Sequence, residues 1–376
     1  MRTIINNLRS RFKKNKPVFI VAEIGKNFIQ TEKDQAVSIY LANAKRLVDE
    51  AKKAGADAVK FQTHNVEDEQ LDVKVISPHF KDIDRFKWVT RNALATPIDK
   101  FWRPLKDYCD KRGIIFFSTP MSRGAAQILQ DLGVGLWKVG SGDILDFVML
   151  DYLARTGKPI ILSSGMSTLG EIRKSLNFLQ KRSKNIILLH CVSKYPCLPD
   201  ELNLGTINFF RKKFKIPIGF SDHSLSIEPA IVAVALGARI IEKHFSFDRN
   251  LWGSDHKASL IPEEFKKMVA GIRKLETSRN ERRKYLANEI VGKYLGRTAK
   301  ILQDGESIFR PFFRKTLVAA SDIKKGTKLT AEMLYAMRPW KFNGGLPSEN
   351  YEKIIGKKMA KNLKKFEPFK LDCFES

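Results

Sequence analysis

The fold can be read from the stretch IPIGFSDHSLSIEPAIVAVALGARIIEKHF, residues 216–245. It consists of an apolar run, a helical segment that ends at Gly237, and a second apolar run. Both runs are continuous rather than alternating, which is typical of strands buried on both faces of a parallel sheet. The stretch predicts a strand–helix–strand unit, in which His223 follows the first strand and His244 lies at the end of the second.

The same pattern recurs outward from this unit. Eight apolar runs lie between residues 17 and 246, and helical segments separate most of them: VFIVAEIG, DAVKFQT, IIFFSTP, LWKVGSG, PIILSSG, IILLHC, IPIGFSD and RIIEKHF. Strand–helix alternation repeated eight times predicts an α/β fold, a (β/α)₈ TIM barrel, with a doubly wound open sheet as the alternative. The gap at 64–113 exceeds one helix and predicts an extra loop near the barrel mouth.

The chain changes character after the barrel. Residues 262–290 are helical and charged, and they complete a barrel domain predicted to span 1–290. A less regular linker follows over 291–312. Residues 313–376 have short strands and a KKG turn, which predicts a module too small to bury much core unless it packs on another surface.

Composition narrows the functional class. The 376 residues are 43% hydrophobic and 29% charged, with no apolar run near the roughly 20 residues that span a membrane. The N-terminus is basic and then apolar, as in a signal peptide: MRTIINNLRSRFKKNKPVFIVAEIG. The resemblance is superficial, because the apolar part is only as long as a strand and no small-residue cleavage site follows it. The cysteines form no CxxC pair, which favours a reduced, cytoplasmic protein without structural zinc: Cys109, Cys191, Cys197 and Cys373.

The net charge is +26, yet the lysines and arginines are scattered and form no basic stripe with interleaved aromatics. We therefore expect neither a nucleic acid nor a membrane as partner. A positive field of this kind would still attract small anionic substrates.

Polar residues end each of the eight runs. A single one is explained by helix capping or a turn, but eight are not, and in a parallel barrel they meet at one mouth. In order along the chain they are Glu23; Lys60 and Gln62; Ser118 and Thr119; Lys138, Ser141 and Asp143; Ser163 and Ser164; His190, Cys191, Ser193 and Tyr195; Ser221, Asp222 and His223; and Glu242 and His244.

The residue types agree on a chemistry. Two lysines and several hydroxyls suit a phosphate or carboxylate, and two histidines near acids suit a divalent metal. The acids Glu23, Asp143 and Asp255 suit sugar hydroxyls or proton transfer. The residues thus predict a metal-assisted enzyme for a small, phosphorylated, oxygen-rich substrate, without giving the reaction.

With these motifs assembled, the chain resembles the sialic acid synthase family over nearly its whole length. The motifs that carry the resemblance are AEIGKN, ADAVKFQTH, FFSTPMSR, KVGSGD, ILSSGMST, LLHCVSKYP, IGFSDHS and EKHFSFDRNLWGSDHKASL, with TLVAASDIKKG, MRP and IIGKK in the module. The resemblance implies a transferase that condenses phosphoenolpyruvate with an N-acetylated hexosamine to form a nine-carbon 2-keto acid. It also implies a C-terminal antifreeze-like (SAF, β-clip) domain.

The resemblance implies a role for each matched residue. Catalytic roles fall on Glu23, Lys60, Lys138 and Asp143. Phosphoenolpyruvate contacts fall on Lys60, Thr119, Lys138, Ser141, Ser193 and Ser221, and sugar contacts on Glu23, Gln62, Tyr195 and Asp255. His223 and His244 would hold a divalent metal, Mn²⁺ with Mg²⁺ or Co²⁺ as alternatives. In a domain-swapped homodimer, Phe312 and Arg338 of one subunit would cap the barrel of the other.

Two loops depart from the family pattern, and both lie at the sugar end. Asn27–Gln30 reads NFIQ where the family has Asn-His-x-Gly, and RPWKFNGG replaces RPGxG. The acceptor is accordingly open between N-acetylmannosamine, its 6-phosphate, and the di-N-acetylated trideoxyhexoses of legionaminic or pseudaminic acid synthesis. Two other readings are a Schiff-base aldolase that uses Lys60 or Lys138, and a non-catalytic protein that binds sugar or nucleic acid.

Overall fold

The computed structural model describes residues 10, 12, 16–76 and 84–375. Most of the basic N-terminal segment lies outside the described residues, as does 77–83 within the gap where an extra loop was predicted. The apolar end of that N-terminal segment forms the first strand of the barrel.

Eight parallel strands form the main sheet, in the order β3-β2-β1-β8-β7-β6-β5-β4. The end strands of this order, β3 and β4, also pack side by side and close the sheet into the predicted TIM barrel. The strands are β1 Phe19–Gly25, β2 Ala58–Thr63, β3 Ile115–Pro120, β4 Trp137–Val139, β5 Ile160–Ser163, β6 Ile186–Cys191, β7 Ile218–Asp222 and β8 Ile240–His244.

A helix follows each strand and covers the outside of the barrel. These helices are Val37–Lys53, Arg103–Arg112, Arg123–Asp131, Phe147–Arg155, Leu169–Gln180, Gly205–Lys213, Glu228–Ala235 and Pro262–Thr277. The long connection between β2 and β3 adds Val66–Glu69, Arg85–Ala95 and the π-helical turn Ile98–Trp102. Beyond the ring lie Arg279–Leu286 and Glu289–Leu295.

Side chains that point into the barrel change from apolar to polar along each strand. Because side chains alternate along a strand, residues two apart face the same side. On β1, Phe19 and Val21 belong to the apolar cluster inside the barrel, and the next residue of that series is Glu23. On β8 the series runs from Ile240 through Glu242 to His244. The polar ends therefore gather at the C-terminal mouth.

The opposite end of the barrel is apolar. The ring of Phe12 packs edge-on against Phe19 with 5.5 Å between centroids, and both side chains are buried. They belong to a cluster that fills the interior below the polar layer, with Val21, Ala58, Phe117, Leu136, Ile161, Ile187, Leu189 and Ile240. The interior is thus a packed core with functional groups only above it.

The C-terminal module is built on an antiparallel pair, β9 Thr316–Ala319 and β10 Leu334–Met337. Leu317, Leu334 and Phe369 are fully buried in it. The segment predicted as a linker begins within the helix Glu289–Leu295 and then forms two short helical turns, Asp304–Ser307 and Arg310–Phe313. A further helical turn, Tyr351–Ile354, lies in the module itself. Among the described residues, no helix is long and apolar enough to cross a membrane.

Candidate active site

A cavity of about 750 Å³ opens at the C-terminal ends of the barrel strands. All but one of the residues predicted for the site line it: Glu23, Lys60, Gln62, Thr119, Lys138, Ser141, Asp143, Ser193, Tyr195, Ser221, His223, His244, Asp255 and Arg338. The exception is Phe312, which does not line this cavity, whereas the next residue, Phe313, does. Within this chain, Phe313 is thus the residue of the turn Arg310–Phe313 that reaches the cavity, and the contact of Phe312 with a partner's barrel stays a prediction.

Two buried ion pairs form the floor of the cavity. The Lys60 Nζ lies 2.6 Å from Glu23 Oε2, and the Lys138 Nζ lies 3.4 Å from Glu242 Oε1. The pairs are linked, because Lys60 Nζ is also 3.8 Å from Glu242 Oε1. Strand register produces this arrangement, since Glu23 is level with Lys60 of β2 and with His244 of β8.

The two carboxylates of the floor have opposite proton affinities. Burial raises the pKa of Glu23 to about 7, although the Lys60 ammonium opposes the shift. Burial would also raise the pKa of Glu242, but Lys138 and Lys60 outweigh it and lower that pKa to about 2. Glu23 is therefore suited to exchange a proton near neutral pH, and Glu242 is a fixed negative charge.

Hydroxyl groups surround the lysines and complete an anion subsite. Lys60 donates to Thr119 Oγ1 at 3.0 Å and Lys138 donates to Ser163 Oγ at 2.8 Å. A Cβ on Gly165 would lie 2.2 Å from Ser193 Oγ and 2.6 Å from Ser141 Oγ, so only glycine lets these two hydroxyls approach the loop after β5. Two ammonium groups with several hydroxyl donors match a phosphate or carboxylate.

The ring centroids of His223 and His244 lie 5.4 Å apart. His223 Nδ1 donates to the Val192 carbonyl at 2.9 Å, which leaves Nε2 as the acceptor, 3.0 Å from the Tyr195 hydroxyl. His244 Nδ1 is buried without a hydrogen-bond partner, and burial lowers its pKa well below the usual value, so that the ring is neutral. Imidazole nitrogens of His223 and His244 are ligands that suit a divalent metal.

The histidines would supply only part of a coordination shell. Within the described residues, no group of three or more histidine, cysteine or acidic side chains could hold a metal ion by itself. A metal at this position would therefore need substrate or water oxygens as its remaining ligands.

The C-terminal module closes the mouth over its own barrel. Arg338 is 1% exposed, and its guanidinium pairs with Asp143 and, at 3.1 Å, with Glu69. Lys315 Nζ lies 3.1 Å from Asp143 Oδ1 and 2.7 Å from Asp146 Oδ2. The resemblance implied that a partner's module supplies this cap; in this structure the module of the same chain supplies it.

Two of the remaining predicted sugar contacts, Gln62 and Asp255, lie beside Glu23. Gln62 Nε2 donates to Glu23 Oε1 at 3.2 Å, and Asp255 faces the same space beside Gly25. The helix Arg85–Ala95 contributes Arg85, whose guanidinium lies 4.5 Å from the Phe313 ring centroid. This helix belongs to the long β2–β3 connection, where the gap length had predicted an extra loop near the mouth and the structure has a helix.

Several lining residues were not predicted as site residues. Glu242 ends the eighth run and Lys26 and His64 lie within the motifs AEIGKN and ADAVKFQTH, so each had a signal in the sequence. Lys26 Nζ and His64 Nε2 are buried and have no hydrogen-bond partner among the described residues. Burial lowers the pKa of Lys26 to about 7 and that of His64 to about 4. No motif pointed to Arg85, and the only indication was the length of the connection between the second and third apolar runs.

Comparison with known proteins is consistent with this geometry. The NeuB family model matches residues 47–284 and the SAF domain model matches residues 314–375. The N,N'-diacetyllegionaminic acid synthase of Campylobacter jejuni is 35% identical, over 86% of this chain and 93% of its own. The N-acetylneuraminate-9-phosphate synthase of Homo sapiens is 32% identical, over 91% of this chain and 89% of its own.

A solved structure covers both parts of the chain. The crystal structure of spore coat polysaccharide biosynthesis protein SpsE from Bacillus subtilis superposes with a TM-score of 0.76 at 31% identity and covers 96% of each chain. Similarity therefore extends over the barrel, the linker and the module together.

Proposed function

The chain belongs to the NeuB family, and on this premise we propose that it condenses phosphoenolpyruvate with an N-acetylated hexosamine, such as N-acetylmannosamine. Its relatives place it among the nonulosonic acid synthases, which form carbon–carbon bonds. The proposed products are a nine-carbon 2-keto sugar acid and inorganic phosphate. The observation that carries the proposal is the buried pair Lys60 and Lys138, ringed by hydroxyls, next to a carboxyl group whose pKa is about 7.

The proposed reaction joins carbon 3 of phosphoenolpyruvate to the aldehyde carbon of the open-chain sugar. The aldehyde oxygen takes up a proton and becomes a hydroxyl, while positive charge develops at carbon 2 of the enol phosphate. Water adds at carbon 2 and loses a proton, and the intermediate then releases phosphate by cleavage of the C–O bond. The atoms balance with one water consumed and one phosphate formed.

The residues of the floor suit these steps. Lys60 and Lys138 would hold the anionic substrate and stabilise charge on the departing phosphate. Glu23 would hold or move a proton beside the aldehyde, because its pKa lies near neutrality. A divalent metal bound by His223 and His244 would supply Lewis-acid polarisation of the sugar aldehyde.

The acceptor is the finer part of the proposal. Its candidates are N-acetylmannosamine, its 6-phosphate, and the di-N-acetylated trideoxyhexoses of legionaminic or pseudaminic acid synthesis. The human relative is named for a 9-phosphate product and the Campylobacter relative for a diacetylated one, so relatives support both kinds of acceptor.

The test is phosphate release from phosphoenolpyruvate, measured with Mn²⁺ across a panel of these sugars. We expect release that requires one of the sugars, and phosphate that contains the bridging oxygen when phosphoenolpyruvate is ¹⁸O-labelled there. Release without any sugar, or label retained in the keto acid, would contradict the proposal. Trapping of pyruvate on Lys60 or Lys138 by borohydride would instead support a Schiff-base aldolase.

A further inference from the structure

The segment that joins barrel and module contains a carboxylate buried against two loops of the cavity. Glu306 is 0% exposed. Its Oε1 accepts a hydrogen bond from the Met166 amide at 2.8 Å and another from the Ser193 amide at 2.9 Å. Met166 follows β5 and Ser193 follows β6, so one oxygen atom ties together two neighbouring loops that both line the cavity.

The loop after β5 is held in an uncommon conformation at this point. Met166 has a φ of 51°, which lies in the left-handed region that non-glycine residues seldom occupy. Its amide is bound by Glu306, and its carbonyl accepts from Arg310 at 3.1 Å and from Arg314 at 2.6 Å. Such a conformation persists only when surrounding residues hold it in place. Here Glu306 holds the amide of Met166, and the two arginines hold its carbonyl.

The second loop carries a hydroxyl of the anion subsite. Ser193 lies where the closely packed Gly165 leaves room for its Oγ and for that of Ser141. Because Glu306 binds the amide of Ser193, it fixes the backbone from which this hydroxyl extends. The other oxygen of Glu306, Oε2, lies 3.8 Å from Lys300 Nζ and accepts a hydrogen bond from the Gln303 amide at 3.4 Å.

We propose that Glu306 is a positioning residue for the phosphate end of the site, which sets the Met166 and Ser193 loops so that phosphoenolpyruvate binds. This inference rests on the proposed function. It gives the joining segment a part in substrate binding, whereas the sequence indicated only a connection between two domains. The acceptor end, around Asp255 and Arg338, has no contact with this carboxylate in the described structure.

The experiment compares Glu306→Ala, Glu306→Asp and Glu306→Gln in the full-length chain. Binding of phosphoenolpyruvate and of inorganic phosphate is measured by calorimetry, and KM is measured for phosphoenolpyruvate and for the acceptor. Both amides bind the same oxygen, so Gln keeps an acceptor for both, whereas Asp is one methylene too short and Ala has none. We expect the Ala and Asp variants to bind phosphoenolpyruvate about 10- to 100-fold more weakly and the Gln variant within about threefold of the unmodified chain.

Two further measurements separate positioning from a merely structural role. The acceptor KM should stay within about threefold in all three variants, because the displaced loops lie at the phosphate end. Asp151→Asn is the matched control, because Asp151 is also a buried carboxylate between barrel and module, 3.1 Å from the Tyr351 hydroxyl, and does not line the cavity. It should leave phosphoenolpyruvate binding unchanged.

The outcomes distinguish this inference from the proposed function. Equal phosphoenolpyruvate affinity in Glu306→Ala and the unmodified chain would overturn the role of Glu306 alone. Parallel rises in both KM values, or equal losses in the Gln and Asp variants, would also overturn it. An unmodified chain that binds no phosphoenolpyruvate would overturn both proposals.

Discussion

The floor and the roof of the cavity are built in different ways. The floor consists of Glu23, Lys60, Lys138 and Glu242, whose positions follow from strand register within the barrel. The roof depends on Arg338, which meets Asp143 and Glu69 across 195 and 269 residues of sequence. The comparison indicates that the barrel alone fixes the charged floor, whereas docking of a small module completes the roof.

The largest effect is expected at the floor. Lys138→Met removes an ammonium from the anion subsite and leaves Glu242 with a weaker partner, so the rate of phosphate release should fall about 10³-fold. Lys158→Met is the matched control, because Lys158 is also buried but binds Gln130 and does not line the cavity. An equal loss of activity in both variants would show that the lysine acts through the stability of the fold and not at the site.

The histidine pair next to the floor gives a second test of the barrel side of the cavity. His244→Ala should lower turnover about 100-fold and abolish Mn²⁺ binding measured by calorimetry, and a chelator should do the same to the unmodified chain until Mn²⁺ is restored. His190→Gln serves as control, since His190 is a buried strand histidine that binds the Leu202 carbonyl and does not line the cavity. Full turnover of His244→Ala in chelator would refute the metal assignment.

The roof should affect the acceptor more than phosphoenolpyruvate. Arg338→Met is expected to raise the acceptor KM about 10- to 100-fold and to leave the KM for phosphoenolpyruvate within about threefold. If Arg338→Met raised only the KM for phosphoenolpyruvate, the distinction drawn between floor and roof would be wrong.

Mixing two variants tests whose module forms the roof. If each module caps its own barrel, as in this structure, a mixture of Lys138→Met and Arg338→Met chains has no more activity than the two alone. In a swapped dimer, the intact barrel of one chain would meet the intact module of the other, and activity would return. Recovered activity would therefore support the domain-swapped homodimer that the resemblance implied.

The last test concerns stability at acidic pH and leaves the substrates aside. Burial lowers the pKa of His64 from 6.5 to about 4, and the ring donates to Glu69, the roof's partner for Arg338. Between pH 6.5 and 4 the unfolded chain binds a proton that the folded chain does not, so the free energy of unfolding should fall as the pH falls. The contribution is at most about 1.4 kcal/mol per pH unit.

Urea denaturation of the unmodified chain and of His64→Gln, at several pH values, measures this contribution. The variant should show a shallower decline between pH 6.5 and 4. Identical slopes would indicate that His64 is not held neutral in the folded roof.

Sequence reasoning reached the floor more completely than the roof. Polar residues at strand ends are visible in the sequence, because an apolar run must stop where the barrel opens, and this places Lys60 and Lys138 without any coordinates. The sequence showed Glu242 at the end of its apolar run. Its ion pair with Lys138 could not be predicted, because it depends on how the strands are arranged around the barrel. The roof contacts of Lys315 and Glu69 depend on how a module docks, and no local pattern encodes that.

The choice between Phe312 and Phe313 depends on docking in the same way. Phe312 and Phe313 are adjacent in a short helical turn, and only the orientation of that turn on the barrel decides which ring reaches the cavity. Motif alignment locates the turn, whereas its rotation is set by contacts such as Arg314 with the carbonyls of Gly142 and Met166.

The aromatic contact between Phe12 and Phe19 has a kinetic consequence. It belongs to the apolar cluster below the charged layer, so in the described part of the molecule the cavity is closed at its lower end. In the proposed reaction, the enol phosphate occupies the bottom of this cavity and the sugar lies above it. From this shape we expect phosphoenolpyruvate to bind before the sugar, and the keto acid to leave before phosphate.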